Sequence, residues 1–494
     1  MSFINPGLFV FFSLLSISSC TSPSIQINDS KWEEPLREIS GLDQERFDIA
    51  KSRERYNLID LYALALESSE RLAIRYEKVR QAEARKTIAF SAFLPSITYR
   101  NQRTEFLPDT SEARQKEEQR NFAYNSLGLP AEYYPLVSGG STGSLNLPPT
   151  FRSGQRLVLR IPIFSGISNF TAYNSVKSEI QLRKLEMSQE SRLLLTDLAQ
   201  NYFSILLFEK VLAQRKESLK ITASLLKEYT RRVSLGLAKS SELNLFQTRI
   251  FSLEAEILTL EEQINAGRER LHYLSSLPEG FILTDDLELS SPNYDLAEAL
   301  KSLENRPDVR VAKSSVEISK SNALGAKSDF LPNVFIDGIY NFRQGNSGES
   351  LFAQFIFEIP LFNGGRTLAQ IQESESIQKE SELNLKLVVR SGTEEIKKAY
   401  SAFSRSLGEL ESYKKALEYA EKGHKLILQD FAYKRANSLE VLNSLVSLNQ
   451  TRESFERASI QNRLNRFLLG LSVGEFPVGG ENWKEKKEDN HNSR

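Results

Sequence analysis

Between Gly166 and Gly236 the chain carries neither glycine nor proline. Within that stretch Met187, Leu194, Leu198, Tyr202, Ile205 and Leu212 recur at helical spacing. A helix over residues 167–235 is ~100 Å long at 1.5 Å per residue, whereas helices of globular domains run ~10–14 residues. A compact domain cannot hold such an element, so it belongs to a coiled coil or to the wall of something long.

Charge is balanced, 63 basic against 64 acidic side chains in 494 residues. That excludes the basic excess of a nucleic-acid footprint, so no nucleic-acid partner is expected. No internal run of 18 apolar residues exists, which leaves no helix able to span a bilayer. His272, His424 and His491 lie far apart and Cys20 is the only cysteine. An intrachain disulfide is impossible, and neither a zinc cluster nor any other cofactor is expected. No Gly-rich phosphate loop or Cys/His/Asp constellation is present, which speaks against an enzyme. His272 and His424 fall on helical segments and are read as packing or surface residues.

The first residues differ from the rest. Residues 9–17 form a short apolar core of signal-peptide type, so residues 1–19 are expected to be a signal peptide. Cys20, after Ile17-Ser18-Ser19, resembles the lipidated first residue of a bacterial lipoprotein; the alternative is an ordinary cleavage site that contains a cysteine. Several acyl chains hold such a protein firmly at a membrane, whereas one holds it weakly. Residues 20–55 are expected to be an extended lead-in along the outside of the body.

The chain repeats itself. Phe93-Leu94-Pro95 recurs as Phe330-Leu331-Pro332, a displacement of 237 residues that also pairs Ile59 with Leu296 and Glu67 with Glu304. Ile161-Pro162-Ile163-Phe164-Ser165-Gly166 recurs as Ile359-Pro360-Leu361-Phe362-Asn363-Gly364, displaced by 198, which also pairs Leu198 with Ile396, Tyr202 with Tyr400 and Glu242 with Glu440. The 39 residues of difference fall in the polar, Gly/Pro-rich stretch between Pro95 and Pro162. Each copy reads helix, strand, loop, strand, long helix, turn, helix. The first copy occupies 56–278, with strands at about 95–102 and 155–164, a long helix at about 166–235 and a tip turn at about 236–241. The second occupies 295–472, with strands at about 333–342 and 351–361, a long helix at about 365–433 and a tip turn at about 434–439. The opening helices are expected at about 58–93 and 296–330. Gly392, Gly408 and Gly423, each costing ~1 kcal/mol relative to alanine, suggest that the second long helix is the more flexible. Residues 279–294 form a connector, with Phe281-Ile282-Leu283 strand-like within a small side domain. The charged tail, 473–494, is expected to be disordered.

The strand candidates alternate. Ile97 and Tyr99, then Leu157, Leu159, Ile161 and Ile163, then Val334, Ile336 and Tyr340, then Leu351, Ala353, Phe355, Phe357 and Ile359 share one face. Arg100, Arg160, Asp337 and Glu358 share the other. A sheet packed on a soluble core would need something to cover the apolar face. The long neighbouring helices lead away from it, so the pattern favours a transmembrane β-barrel with lipid outside and those four charged residues in the lumen. Four strands cannot close a barrel, and open edges are not tolerated in lipid. The chain therefore has to oligomerise, and three copies supply roughly twelve strands and roughly twelve helical staves.

Over about residues 56–472 the sequence resembles the TolC-like outer-membrane efflux proteins. The likeness is carried by the Ala/Leu-rich opening at residues 58–67, the Phe93-Leu94-Pro95 corner, Arg306-Pro307-Asp308-Val309, the two Ile-Pro-Ile/Leu-Phe-x-Gly corners, and the turns Gly236-Leu237-Ala238-Lys239-Ser240-Ser241-Glu242-Leu243 and Asn437-Ser438-Leu439-Glu440-Val441-Leu442. The resemblance implies a homotrimer, mixed α and transmembrane β-barrel in class, whose outer-membrane barrel continues into a periplasmic α-helical tunnel. It implies a periplasmic adaptor and an inner-membrane transporter as partners and a passive exit duct for drugs, metals or proteins as function. Glu440 and Asn443, with Glu242 as first-repeat counterpart, match the tunnel's closed tip; Glu440 and Glu242 equally suit a helix start. Pro162 and Pro360 are expected to end the strand ladders, and Gly166 and Gly364 to bend the chain into the long helices. Lys434 stands where Gly236 stands in the first copy. A structural or adhesive coiled-coil surface lipoprotein is the alternative; it leaves the matched apolar strand faces without a use. The loop at about 103–155 would face the cell exterior, as plug, receptor site or inert insertion.

Overall fold

The structure is a computed structural model, which describes residue 42 and residues 44–105, 118–119, 121–122, 151–236, 239–278, 280–285, 295–342, 349–433 and 435–474. The expected signal peptide, Cys20, Lys434, most of the long loop and the tail beyond 474 lie outside the described residues.

In chain order the elements are α1 (Gln44–Ser52), β1 (Arg55–Tyr56), α2 (Leu58–Ser68), α3 (Glu70–Ser91), β2 (Ser96–Glu105), β3 (Phe151–Ser165), α4 (Ser168–Ser234) and α5 (Ser240–Ser275). There follow β4 (Ile282–Leu283), α6 (Leu296–Lys301), α7 (Pro307–Lys327), β5 (Asn333–Asn341), β6 (Ser350–Glu358), α8 (Arg366–Ala432) and α9 (Ser438–Val473). Helices α4 and α8 each have 67 residues, ~100 Å of helix. Gly392, Gly408 and Gly423 leave α8 unbroken. Gly392 is where it is because a Cβ there would lie 2.8 Å from Leu303 Cδ1.

The chain divides into two compact units that cut across the sequence repeats. One comprises 1–81, 180–315 and 381–494; the other comprises 82–179 and 316–380. Each takes parts of both copies, because the strands of one copy pair with those of the other.

In the first unit α2 is almost wholly buried, from Leu58 to Leu66. Asn57 starts it with a capping box: its Oδ1 accepts from the N–H of Ile59 and Asp60, while Asp60 accepts from Asn57 N–H. Tyr202 and Phe203 of α4 pack against α2 in the main core, and the Tyr202 hydroxyl donates to the Thr284 carbonyl.

Two expectations about this unit are corrected. The lead-in is not extended throughout: residues 44–52 form α1, and Leu42, Phe47 and Ala50 join the main core, because Phe47 and Ala50 sit three apart on one helical face. Each opening helix is interrupted. Ser69 is extended (ψ 111°) between α2 and α3, and Arg306, held extended by Pro307, separates a short 3-10 turn (Ser302–Asn305) from α7. Ile282 and Leu283 pair in parallel with Arg55 and Tyr56, and Phe281 and Leu283 enter the core; the rest of the connector, 286–294, lies outside the described residues.

In the second unit four strands form one antiparallel sheet in the order β2-β3-β5-β6. β2 and β3 reach Glu105 and back to Phe151, beyond the expected ends near 102 and 155, because backbone pairing outlasts the apolar alternation. Pro162 does not end its ladder. It lies inside β3 opposite Phe335, at a register shift that leaves Phe164, not Ile163, opposite Val334. A bulge is where a strand tolerates proline. Pro360 lies two residues past the end of β6, and Ile359 is likewise outside the ladder.

Candidate functional site

Directly paired residues of antiparallel strands share a face, so the register assigns both sides of the sheet. On one side the rows read Phe164, Val334, Phe357; then Ile161, Ile336, Phe355; then Ile97, Leu159, Gly338, Ala353; then Tyr99, Leu157, Tyr340, Leu351. No polar side chain other than the two tyrosine hydroxyls interrupts it. Nothing among the described residues covers it: Leu351 is 77% exposed, Phe355 68%, Ile97 66%. Large apolar side chains left contiguous and open mark a surface destined for lipid or another protein.

The aromatic residues are banded. Phe164, Phe355 and Phe357 occupy the two rows nearest the helices that follow. At the other end Tyr340 meets Phe342 at 4.9 Å and Tyr99 meets Phe342 at 6.1 Å, both edge to face. The row between holds only Ile97, Leu159, Gly338 and Ala353. From Val334 to Phe342 the strand covers ~27 Å at ~3.4 Å per residue. Aromatic girdles bounding an apolar band ~25 Å tall are the dress of a membrane barrel wall. The bands were legible in the sequence only once the register aligned residues from four separate segments.

The opposite side is polar and mixed. Arg100, Arg160, Asp337 and Glu358 all fall on it. Arg160 and Asp337 are direct cross-strand partners, joined by a two-pronged ion pair with Nε to Oδ1 at 2.8 Å and Nη2 to Oδ2 at 2.7 Å. The Arg160 guanidinium lies 4.4 Å from the Phe335 ring centre. Glu358 pairs with Asn333 at the far end of β6.

At the strand-to-helix corners Gly166 has φ +58° and Gly364 φ +68°, the left-handed region where a Cβ is strained. A Cβ on Gly166 would also lie 3.1 Å from the Ser328 carbonyl. Past the corner, Ser175 donates to Asn322 Oδ1 at 2.9 Å and Gly325 lets Thr171 come close, so the start of α4 is seated on α7.

The helix tips lie in the other unit. Tyr229 of α4, Phe246 of α5 and Leu442 of α9 form a small apolar cluster, and Arg232 stacks on the Phe431 ring. Asn437 caps α9 by accepting from Glu440 N–H at 2.9 Å, and its amide donates back to Glu440 Oε1 at 2.9 Å. Glu440 thus takes the helix-start geometry; it and Asn443 are exposed. Glu242 lies in the first turn of α5, whose N-cap, Lys239, makes no side-chain cap. His272 faces the Leu277 carbonyl and His424 sits 2.8 Å from Ser444 Oγ, so both lie on helices with local partners. Burial first, and the charge of Arg452 second, lower the His424 pKa below the usual imidazole value.

One constellation has no precedent in sequence spacing. Arg306 is fully buried, donating to Asp308 (3.1 and 2.8 Å), to Glu395 Oε2 (2.5 Å) and to the Ser472 carbonyl (2.9 Å). Arg192 joins it, reaching Glu395 Oε1 at 3.4 Å and the Leu471 carbonyl at 3.2 Å. Two guanidinium groups thereby satisfy the terminal carbonyls of α9 and tie α4 to α8. Burial would push the Asp308 carboxyl up. The hydrogen bonds and charge of Arg306, with Arg192 and the Val309 N–H, outweigh it and hold the group below the usual carboxylate range. Arg306-Pro307-Asp308 was visible as a motif, but its partners lie 89 and 166 residues away. Among the described residues no cluster of His, Cys, Asp and Glu is suited to a metal ion.

A banded apolar sheet face, followed in the chain by helices of 67 residues, is the build of a channel protein of the outer-membrane type. The outer membrane efflux protein family matches residues 300–466, and the chain is similar to TolC-like outer-membrane efflux proteins. It is similar to the pyoverdine export outer membrane protein OpmQ of Pseudomonas putida, 22% identical over 494 residues and covering 96% of each chain. It is similar to the cation efflux system protein CusC of Escherichia coli, 22% identical over 374 residues, 70% of this chain and 79% of the relative. A solved CusC structure shares the fold at a TM-score of 0.71 and 16% identity, covering 86% of this chain and 92% of that one.

Proposed function

We propose that the chain is the outer-membrane channel-tunnel of a tripartite export system, a passive exit duct driven by an inner-membrane transporter through a periplasmic adaptor. The observation that carries this is the exposed apolar sheet face with its two aromatic bands. The outer edges of β2 and β6 have no partner strand within the described chain. In hydrocarbon each unpaired backbone group costs several kcal/mol. Three copies, β6 of one against β2 of the next, remove every edge and give a barrel of about twelve strands, wide enough for water. Arg100, Arg160, Asp337 and Glu358 then line the lumen. Glu440, Asn443 and Glu242 stand at the tips assigned to the gate and adaptor, and Cys20 is assigned as the lipid anchor. An adhesive coiled coil has no use for such a sheet.

The test is the mass of the purified complex in detergent by light scattering, with planar-bilayer conductance on the same sample. Three chains per particle and discrete conductance steps are expected. A monodisperse monomer that is soluble without detergent overturns the reading.

A further inference from the structure

One row of the polar sheet face is unlike the others. Across the four strands it reads Arg100, Arg156, Asn341, Ser350. Arg100 and Arg156 are direct cross-strand partners, so their Cβ atoms lie only about 4.5–5.5 Å apart, and like charges in that position repel. Among residues whose side chains are described, no acid is at hand to neutralise them. The closest acid on the same face, Asp337, is four residues from Asn341 along β5 and is spent on Arg160 through both oxygens. Glu358 is eight residues from Ser350 along β6. Glu349 accepts from the Tyr340 hydroxyl at 2.7 Å, and Tyr340 belongs to the apolar face. Among residues whose side chains are described, neither Arg100 nor Arg156 has an ion-pair partner. The rest of the row supplies an amide and a hydroxyl, with Asn341 Nδ2 donating to Ser350 Oγ at 3.0 Å.

We propose that this row is an anion-binding ring, specific for small solutes that carry two or more carboxylates. The inference rests on the duct reading for its setting, since three copies place six guanidinium groups around one lumen. A guanidinium offers a planar fork that meets a carboxylate through two parallel hydrogen bonds. Rings of arginine select anions in pores, and low-dielectric walls focus their field on the solute. The uncompensated repulsion within the pair is relieved when a polyanion sits between the two side chains. The Arg160–Asp337 row, two rows away on the same face and neutral, offers no such site.

Citrate is the probe, titrated calorimetrically into the full-length complex in detergent at low and high salt. This readout does not depend on whether the helical tip is open. Citrate is expected to bind saturably and more weakly as salt rises. Arg100→Gln/Arg156→Gln is expected to weaken it at least tenfold while keeping the oligomer, and Arg100→Lys/Arg156→Lys is expected to fall between. Should the double variant not assemble, Arg100→Gln alone serves, with a loss of threefold or more. No citrate binding by the unaltered protein, or equal binding by the glutamine variant, overturns the proposal. Binding without any conductance sinks the duct and leaves the ring; conductance without binding sinks the ring and leaves the duct.

Discussion

The two long helices descend from one duplicated unit and have the same length, yet the chain treats them oppositely. α4 buries Met187, Leu194, Leu195, Leu198, Ala199, Tyr202, Phe203, Ile205 and Leu206. α8 buries one large apolar side chain, Ile396, the counterpart of Leu198, and leaves Leu368, Leu383, Leu387, Tyr419 and Leu426 between 55% and 73% exposed. Duplication supplied two equivalent staves, and packing inside one chain consumed only one of them. The other keeps an apolar flank that the described residues do not cover. The sheet shows the same thing in another form, with its apolar face and its two outer edges unpartnered.

The contrast can be broken by substitution. The largest effect is expected where the two copies are tied. Arg306→Met removes the cation from Asp308 and the donor from the Ser472 carbonyl and leaves Glu395 to Arg192, and loss of one partner from a buried ion pair costs about 3–5 kcal/mol; denaturant unfolding of the purified protein measures it. Leu198→Ala should cost about 2–5 kcal/mol by opening a cavity, whereas Leu387→Ala should leave the fold of the chain within about 0.5 kcal/mol. Leu387→Glu, by contrast, should reduce the trimer fraction on light scattering. Equal effects of Leu198→Ala and Leu387→Ala on unfolding would erase the difference between the staves. In the sheet, Leu159→Arg places a charge in the middle row of the apolar face, a substitution that costs about 2–4 kcal/mol when such a face meets lipid. Its neighbour Val158→Arg, on the polar face, should assemble normally.

The smallest effects are those of pH. The Asp308 carboxyl is lowered in the folded state, so its contribution is complete above the ordinary carboxylate range and disappears as pH falls through the folded value. Asp308→Asn should therefore flatten the acid limb of the stability curve. His424 is also lowered, by burial and by Arg452. The unfolded chain then takes up the proton first, and stability falls as pH drops below about 6.5. Because His424 is only half-buried, the change in melting temperature between pH 8 and pH 5.5 should be slight, and His424→Gln should abolish it.

Most of the element pattern was legible, because it is written in local periodicity. The long helices were expected at 166–235 and 365–433 and lie at Ser168–Ser234 and Arg366–Ala432. The two sheet faces followed from alternation. Two of the misreadings involve residues whose local signal was overridden from a distance. Residues 44–52 look polar and become helical because Phe47 and Ala50 find the core of α2 and α4. Pro162 looks like an end and sits at a bulge, because β5 pairs on past it. Glu440 was legible as acidic at a tip, but its partner Asn437 shows how the helix start employs it.

The sequence by itself determined the duplication, the length of the staves and the phase of each strand, since a period of 3.6 or 2 needs no knowledge of the partner. The tertiary structure alone decided which copy's stave is consumed, which arginines are paired with acids, and that Arg100 faces Arg156. Those outcomes depend on registers between segments up to 279 residues apart. Pairing energies between distant segments are set by what meets in space, and no local period encodes that.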